Sequence, residues 1–344
     1  MKKYIIVFSL SLLALSASAQ KKKKKQIPPP KVEVIPEVLP VHEGQSVTET
    51  AGMIATMPAS SVTRIKASTT SGKEIRFTDL EELASSDLSK LKELSFSTMT
   101  SGKNLESSLL QKIMAEGTQL EELEIDNFAL DTFPELNTTN HKLKKLVLNQ
   151  NKLKTLPSSI SNLTALEHFD CNNPLTELPA SFAQLKNLQH LGLNNHLFTA
   201  FPKEIFSLSK LSTLYTSGNF KEQKTMSELP DLFQQLPELK ELGIANAGLS
   251  SLPKSISTLK KLEKANFSYN QFSSFPEVLT SNPKLTYVPF SSNPLQWEPF
   301  LASVKKIKWS GLFFLNETGF TKKQYEQIQD ILTTTDVYYD GMND

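Results

Sequence analysis

The sequence contains a single cysteine, Cys171, among its 344 residues. An intramolecular disulfide is therefore excluded, and so is a zinc site built from several cysteines. An excess of charge of one sign is also lacking, because 37 lysine and arginine residues are balanced by 36 aspartate and glutamate residues. Such a balance provides no broad basic surface for gripping nucleic acid.

Catalytic signatures are missing as well. The patterns G-x-S-x-G, H-E-x-x-H and C-x-x-C do not occur in the sequence. Gly72-Lys73 and Gly102-Lys103 lack the upstream glycine of a phosphate-binding loop, so we interpret both as turns. We therefore expect a protein that is not an enzyme and that needs neither a cofactor nor a metal ion.

The first 19 residues have the pattern of a signal peptide. Lys2 and Lys3 precede an apolar run from Tyr4 to Leu15, and Ala17-Ser18-Ala19 forms a small-x-small cleavage site. The run is shorter than the roughly 20 residues of a membrane-spanning helix. No cysteine lies near the site, which argues against a lipoprotein anchor. We expect export to the periplasm, the cell surface or the medium, with no transmembrane segment in the mature chain.

Residues 20–42 form a lysine- and proline-rich tether in this interpretation. Lys21–Lys25 oppose translocation, so a retained N-terminal anchor and a cytosolic protein stay open as alternatives. The same five lysines suit contact with an anionic surface, although a solvated linker is the favoured explanation. Pro28, Pro29, Pro30, Pro36 and Pro40 favour an extended, stiff segment.

A repeat runs through most of the remaining chain. The pattern Leu-x-x-Leu-x-Leu begins at Val62, Leu91, Leu120, Leu143, Leu166, Leu188, Leu211, Leu239, Leu262 and Leu285, mostly 22 or 23 residues apart. Prolines keep the same phase at Pro134, Pro157, Pro179, Pro202, Pro230, Pro253, Pro276 and Pro299. Alternating leucines bury one face of a short strand and expose the other, and one strand per repeat predicts parallel pairing of successive strands.

With this spacing the chain resembles the leucine-rich repeat family in its 23-residue form, LxxLxLxxNxLxxLPxxIxxL. The resemblance implies an α/β solenoid of about ten repeats, with a curved parallel sheet on the concave face and irregular, 3-10 or helical segments on the convex face. We place the repeats at residues 62–300, an N-terminal cap at 43–61 and a C-terminal cap at 301–344. The cap should contain a helix that begins after Thr321, with Gln324 completing a capping box.

The repeat pattern also predicts roles for residues other than its leucines. Asparagines of the motif (Asn151, Asn219, Asn270 and Asn293) should satisfy backbone groups where the chain leaves each strand. Phe128, His196 and Ala247 occupy this position in three repeats, and Cys171 replaces a core leucine. The repeat that begins at Leu211 carries five extra residues near Lys221 to Ser227, which should bulge from the solenoid.

Three groups of outward-facing strand positions are candidate binding residues. His168 and His190 should be neighbours with Asp170 beside them, an arrangement that suits zinc binding, pH sensing or simply a polar surface. Tyr215, Asn266, Tyr269 and Tyr287 should form a patch in which Gly192 and Gly243 open space. Glu122, Glu124 and Asp126 should stack carboxylates on one strand, as a solvated face or a partner contact.

The favoured function is a non-enzymatic protein–protein interaction module, exported, that binds a macromolecular partner on the concave face. The leucine-rich repeat resemblance supplies most of this expectation, because proteins of that family are mostly binding scaffolds. A carbohydrate or cell-wall binding protein is an alternative, since aromatic and amide side chains also contact sugars. A cytosolic scaffold is a second alternative.

Overall fold

A computed structural model describes residues 63–98, 104–137, 142–221, 226 and 228–340. The segments predicted as a signal peptide, a tether with Lys21–Lys25 and an N-terminal cap lie outside these residues. Across the described stretches, each helix is too short or too polar to cross a lipid bilayer.

A single open sheet forms one side of the fold. Its 13 strands, among the described residues, are β1 (Thr63–Thr69), β2 (Glu74–Ile75), β3 (Leu91–Thr98), β4 (Glu122–Asp126), β5 (Lys145–Val147), β6 (His168–Asp170), β7 (His190–Gly192), β8 (Thr213–Tyr215), β9 (Glu241–Gly243), β10 (Lys264–Asn266), β11 (Tyr287–Pro289), β12 (Gly311–Phe314) and β13 (Thr335–Tyr338). From β3 to β13, neighbours in sequence pair in parallel. The sheet is curved and unclosed, as the repeat predicted.

The first strand departs from the prediction. β1 runs antiparallel to both β2 and β3, so the expectation that the segment from Val62 continues the parallel series is wrong. A tight turn joins β1 to β2, with the Gly72 N–H donating to the Thr69 carbonyl at 2.9 Å. Gly72 adopts a φ of 79°, a conformation that glycine accepts without steric cost, and the hairpin follows from it.

The return path of each coil lies on the opposite side of the molecule from the sheet. It contains helices α1 (Leu80–Ser85), α2 (Ser107–Glu116), α3 (Glu277–Thr280), α4 (Trp297–Val304) and α5 (Lys322–Ile331), with 3-10 helices at Ser158–Asn162, Ala180–Gln184, Lys203–Ser207, Phe233–Gln235 and Lys254–Thr258. Pro157, Pro179, Pro202 and Pro253 each directly precede a 3-10 helix in an extended conformation. Proline disfavours helix in the residue before it, so the Leu-Pro step fixes where each short helix begins.

The leucines of the repeat pattern form the core between the sheet and the return path. Each marked residue from Leu91 to Leu285 is buried, with an exposed fraction of 4% or less. Cys171 is fully buried among them, and burial raises the pKa of its thiol to about 12. The thiol is therefore a small core side chain rather than a reactive group.

Buried asparagines link successive coils in a ladder. The Asn151 amide Nδ2 donates to the carbonyls of Ile125 (2.8 Å) and Asn149 (3.1 Å), and its Oδ1 accepts from the Phe128 N–H. Asn270 and Asn293 make equivalent bonds to the coils before them. Parallel strands, a leucine core and this ladder identify the architecture as a leucine-rich repeat solenoid.

The sheet continues beyond residue 300, into the segment predicted to be only a cap. β12 and β13 extend the parallel pairing, but their repeats begin at Ser310 and Thr334 rather than leucine. The capping box predicted for Thr321 and Gln324 is present at the start of α5.

Gln329 of α5 closes the outer edge of the sheet. Its Nε2 donates to the Thr335 carbonyl at 2.9 Å, and its Oε1 accepts from the Val337 N–H at 3.0 Å. These backbone groups belong to β13, the last strand, so the side chain occupies the place of a further strand. Edge strands with unpaired groups recruit other chains, and this amide prevents it.

Replacing Gln329 with alanine should therefore expose a pairing edge. We expect the variant to lose about 1 kcal/mol of unfolding free energy and to self-associate as concentration rises. Analytical ultracentrifugation would measure the association. Gln327→Ala, an exposed change on the same helix, serves as the control, and equal behaviour of the two variants would contradict the role of Gln329.

Candidate functional site

The outward positions of β3–β13 form the candidate site, which we call the concave face. It comprises the residues two, four and six places after each repeat start. The parallel register brings equivalent positions side by side; for example, His168 lies beside His190, and Asp170 lies beside Gly192. Sequence spacing alone therefore placed these candidates correctly relative to one another.

His168, Asp170 and His190 form a hydrogen-bonded group, which we call the histidine triad. His168 Nε2 lies 2.8 Å from Asp170 Oδ2, and His190 Nε2 lies 3.1 Å from Asp170 Oδ1. The imidazole rings stack with centroids 4.0 Å apart and planes 2° from parallel. Burial opposes ionisation of Asp170, but the two histidine hydrogen bonds outweigh it and hold the pKa of this carboxyl below its usual range.

The triad offers three potential metal-ligand atoms, two imidazole nitrogens and one carboxylate oxygen, within 4.8 Å of one another. An imidazole nitrogen binds a metal through a lone pair that lies in the plane of its ring. Because the two rings are stacked with nearly parallel planes, no single ion lies in both planes. An ion shared by both Nε2 atoms would require one ring to turn, so this arrangement favours a fixed polar group.

Gly192 makes room for the triad carboxylate. A Cβ at this position would lie 2.0 Å from Asp170 Oδ1. Gly192 and Gly243 were predicted to open space between the patch residues, but Asp170 fills that space at Gly192 and Tyr215 fills it at Gly243. A Cβ added at Gly243 would lie 2.4 Å from Cδ1 of the Tyr215 ring.

The Gly192→Ala variant should break the triad. The new methyl group displaces the Asp170 carboxylate from both histidines, and we expect a loss of about 1–2 kcal/mol of unfolding free energy. Chemical denaturation would measure it. A double-mutant cycle supplies the control, since the loss should largely vanish when Asp170 is already alanine. An undiminished loss in that background would assign the cost to another contact.

The acidic group of Glu122, Glu124 and Asp126 is partly neutralised by a lysine on the neighbouring strand. Lys145 Nζ lies 2.5 Å from Glu124 and 3.8 Å from Glu122. Asp126 accepts a bond from the Asn149 N–H at 3.1 Å. Burial raises the pKa of Asp126 to about 6, and the Glu124 and Asp170 charges add to the rise. The Asp126 carboxyl therefore titrates near pH 6.

Of the four predicted patch residues, Tyr215 and Asn266 form hydrogen bonds within the chain. The Tyr215 hydroxyl donates to Glu241, and burial together with this carboxylate raises the pKa of Tyr215. Asn266 Oδ1 accepts from the Ser268 N–H at 3.0 Å, which fixes its side chain in the turn after β10. The Tyr215 hydroxyl and Asn266 Oδ1 therefore already have hydrogen-bond partners within the chain.

Tyr269 and Tyr287 are the exposed members of the patch, at 41% and 38% of their surface. Tyr269 contacts Phe220, which is 46% exposed and was not predicted, with ring centroids 5.2 Å apart. Phe220 directly precedes the insertion predicted near Lys221 to Ser227. Most of that insertion lies outside the described residues, so its predicted bulge stays a prediction.

Tyr269 also occupies a left-handed backbone position. The residues just before the ladder position share this conformation, with φ between 49° and 63°: Asn127, Gln150, Asn195, Asn246, Tyr269, Ser292 and Glu317. Asparagine tolerates it well, whereas a bulky aromatic residue does not. Tyr269 is therefore kept against local conformational preference, which points to a role for its exposed ring.

Three rings on the last strands form a row that we call the aromatic ridge. Tyr287 of β11 contacts Phe314 of β12 at 5.1 Å, and Phe314 stacks on Tyr338 of β13 at 5.0 Å. Only Tyr287 was predicted as a binding residue. Phe314 is partly exposed on the concave face.

Negative charge dominates the concave face. From β3 onward its outward positions hold two lysines, Lys145 and Lys264, and eight carboxylates: Glu93, Glu122, Glu124, Asp126, Asp170, Glu241, Asp336 and Asp340. The whole chain has a formal net charge of +1, so the lysines are concentrated elsewhere.

Comparison with known proteins identifies similar solved structures. The plant peptide hormone receptor RGFR1 in complex with RGF2 has a TM-score of 0.47 at 19% identity, over 69% of this chain and 42% of the receptor. The functional domain of InlJ from Listeria monocytogenes, which includes a cysteine ladder, has a TM-score of 0.49 at 21% identity, over 73% of this chain and 48% of InlJ. The chain thus spans less than half of either. No family model and no curated protein sequence matches it.

Proposed function

We propose that this leucine-rich repeat solenoid is a non-enzymatic, exported module that binds a protein partner on its concave face. The observation that carries the proposal is the exposure of large aromatic side chains on or beside that face. The exposed large hydrophobic residues among the described positions are Phe220, Tyr269 and Tyr287. Exposed tyrosines and phenylalanines that are anchored by a rigid sheet are typical centres of protein interfaces.

The geometry of the sheet supports this role. Each strand from β3 to β12 is hydrogen-bonded to a neighbouring strand on both sides, so the surface is fixed before a partner arrives. Hydrogen bonds within the face, such as those of the histidine triad and Tyr215, fix the side chains further. A preorganised surface loses less conformational entropy when it binds.

Affinity capture from the periplasm or cell surface, followed by mass spectrometry, tests the proposal. We expect a protein partner whose recovery falls at least about tenfold when Tyr269 and Tyr287 are both alanine, because interface aromatics commonly contribute 1–2 kcal/mol or more each. Lys203→Ala with Lys254→Ala, two exposed changes in the 3-10 helices of the return path, is the matched control. A partner lost equally with the control pair would contradict binding on the concave face.

Export rests on residues 1–19 and needs its own test. A fusion of residues 1–42 to alkaline phosphatase, which is active only after export, should be active in a bacterial host. Replacing Leu12 and Leu13 with arginine should abolish that activity. An inactive wild-type fusion would favour the cytosolic scaffold.

Binding to carbohydrate is the second candidate function, and the ring geometry disfavours it. Sugars stack on free aromatic faces, but the planes of Phe314 and Tyr338 lie 18° apart with their faces against each other. A glycan array would decide, since a signal that depends on Tyr287 would replace the protein-binding proposal.

A further inference from the structure

The last three strands present an almost wholly apolar part of the concave face. Of the six positions that lie two and four places after the repeat starts of β11–β13, five are apolar or aromatic and the sixth is Asp336; the five are Tyr287, Pro289, Leu312, Phe314 and Tyr338. The aromatic ridge crosses all three strands, and Leu312 lies beside Tyr287 and Pro289 beside Phe314 in the register. An exposed apolar patch with polar residues around it is typical of an interaction site.

Acidic side chains border this patch, and basic ones are absent from its nine outward positions on these strands. Asp336 and Asp340 lie on its outer side and are both exposed. On its inner side Lys264 is paired with Glu241, at 2.7 Å, so its charge is largely compensated. The remaining concave face adds further carboxylates, and an approaching cationic segment is attracted along its length.

Backbone pairing does not explain how a partner would bind here. Gln329 already occupies the outward hydrogen-bonding groups of β13 at Thr335 and Val337. A partner strand cannot extend the sheet at this edge without displacing that side chain. We therefore expect a partner to be recognised by side-chain contacts on the concave face rather than by backbone pairing.

We propose that the partner contributes a polypeptide segment with both apolar and basic side chains, and that its apolar side chains seat on the aromatic ridge. The inference rests on the proposed function and specifies the chemistry of the partner. Tyr287, Phe314 and Tyr338 supply apolar contact, while Asp336 and Asp340 pair with lysine or arginine of the segment. The carboxylates also steer the association, so binding weakens as salt rises.

Selection from a random 12-residue peptide display library on the immobilised protein tests this inference. We expect enriched peptides that combine leucine, isoleucine, proline or aromatic residues with lysine and arginine. A synthetic peptide of the enriched sequence should bind at least about tenfold more weakly to Tyr287→Ser and to Asp336→Lys than to the unaltered protein. Raising the salt concentration should weaken its binding to the unaltered protein more than to Asp336→Lys.

One matched control isolates the charge at the ridge. Asp330→Lys makes the same charge change at an exposed position of α5. It should keep peptide affinity within about twofold, and circular dichroism should show all three variants folded. The same weakening in Asp330→Lys as in Asp336→Lys would overturn the inference, as would enrichment of acidic peptides or no enrichment.

The natural partner separates this inference from the proposed function. If the captured partner is lost with Tyr269→Ala and Tyr287→Ala together but is retained by Asp336→Lys and Tyr338→Ser, the proposed function stands and the apolar–basic segment on the ridge is wrong. If no protein is captured, the proposed function itself fails.

Discussion

Replacing Asn270 with alanine should lower the free energy of unfolding by about 4 kcal/mol, because several buried groups lose their partners at once. The amide Nδ2 donates to the carbonyls of Ile244 (2.8 Å) and Phe267 (3.0 Å), and Oδ1 accepts from the N–H groups of Ala247 and Leu249, both at 3.1 Å. Asn270 is 1% exposed, so water does not replace these bonds.

Urea denaturation followed by circular dichroism would measure this loss. Asn187→Ala makes the same substitution at an exposed asparagine, whose Nδ2 donates to the Thr164 carbonyl and whose Oδ1 accepts from Lys210. That control should lose less than about 1 kcal/mol. Similar losses for the two variants would show that the ladder does not hold successive coils together.

Replacing His196 with asparagine should remove much of the acid sensitivity of the fold. His196 occupies the ladder position and is 1% exposed, with Nδ1 accepting from the Phe198 N–H at 3.1 Å. Its Nε2 is buried and has no hydrogen-bond partner among the described residues. Burial lowers the pKa of His196 to about 3.

The direction of the effect follows from linkage. His196 stays neutral in the folded chain, whereas in the unfolded chain it gains a proton near pH 6.5. Stability is therefore full above pH 6.5 and is lost as the pH falls toward 3. At pH 5 this histidine should destabilise the fold by about 2 kcal/mol relative to pH 7.

Urea denaturation at pH 7 and pH 5 compares the two chains directly. The loss between these pH values should be about 2 kcal/mol larger for the unaltered protein than for His196→Asn. Comparing the two chains cancels Asp126, whose raised pKa acts in the opposite direction by destabilising the fold as the pH rises through 6. His168→Asn, the same change at a partly exposed histidine, should leave the His196 contribution in place. Equal acid losses in His196→Asn and the unaltered protein would contradict this account.

The periodic part of the fold could be predicted because each repeat obeys the same packing rule. A leucine at a fixed phase must point inward, so its neighbours two residues away must point outward. This logic brought His168, Asp170 and His190 together without any structural information. The same phase placed Asn151 and Asn270 in the ladder.

The ends of the sheet escaped prediction because their chemistry differs from that of the repeats. The repeats of β12 and β13 begin with Ser310 and Thr334, so a search for leucine does not detect them. Aromatic residues such as Phe313 fill the core there instead. The aromatic ridge was missed for this reason, since Phe314 and Tyr338 face outward only once those strands are known.

Side-chain contacts between neighbouring repeats were also beyond prediction from the sequence. The sequence placed Tyr215 and Gly243 in neighbouring outward positions but did not indicate that the ring would cover the glycine. Whether a tyrosine leans onto its neighbour or toward solvent depends on rotamers, and here Glu241 selects the covering position by accepting the hydroxyl hydrogen bond.

Hydroxyl-radical footprinting of the free and partner-bound protein tests the central claim most directly, because it reports which side chains a partner covers. We expect oxidation of Tyr287, Phe314 and Tyr338 to fall on binding, while Trp297 and Phe320, which pack on the return path, stay unchanged. Protection of Trp297 and Phe320 with undiminished oxidation of the aromatic ridge would place the partner on the opposite side of the solenoid and contradict the account.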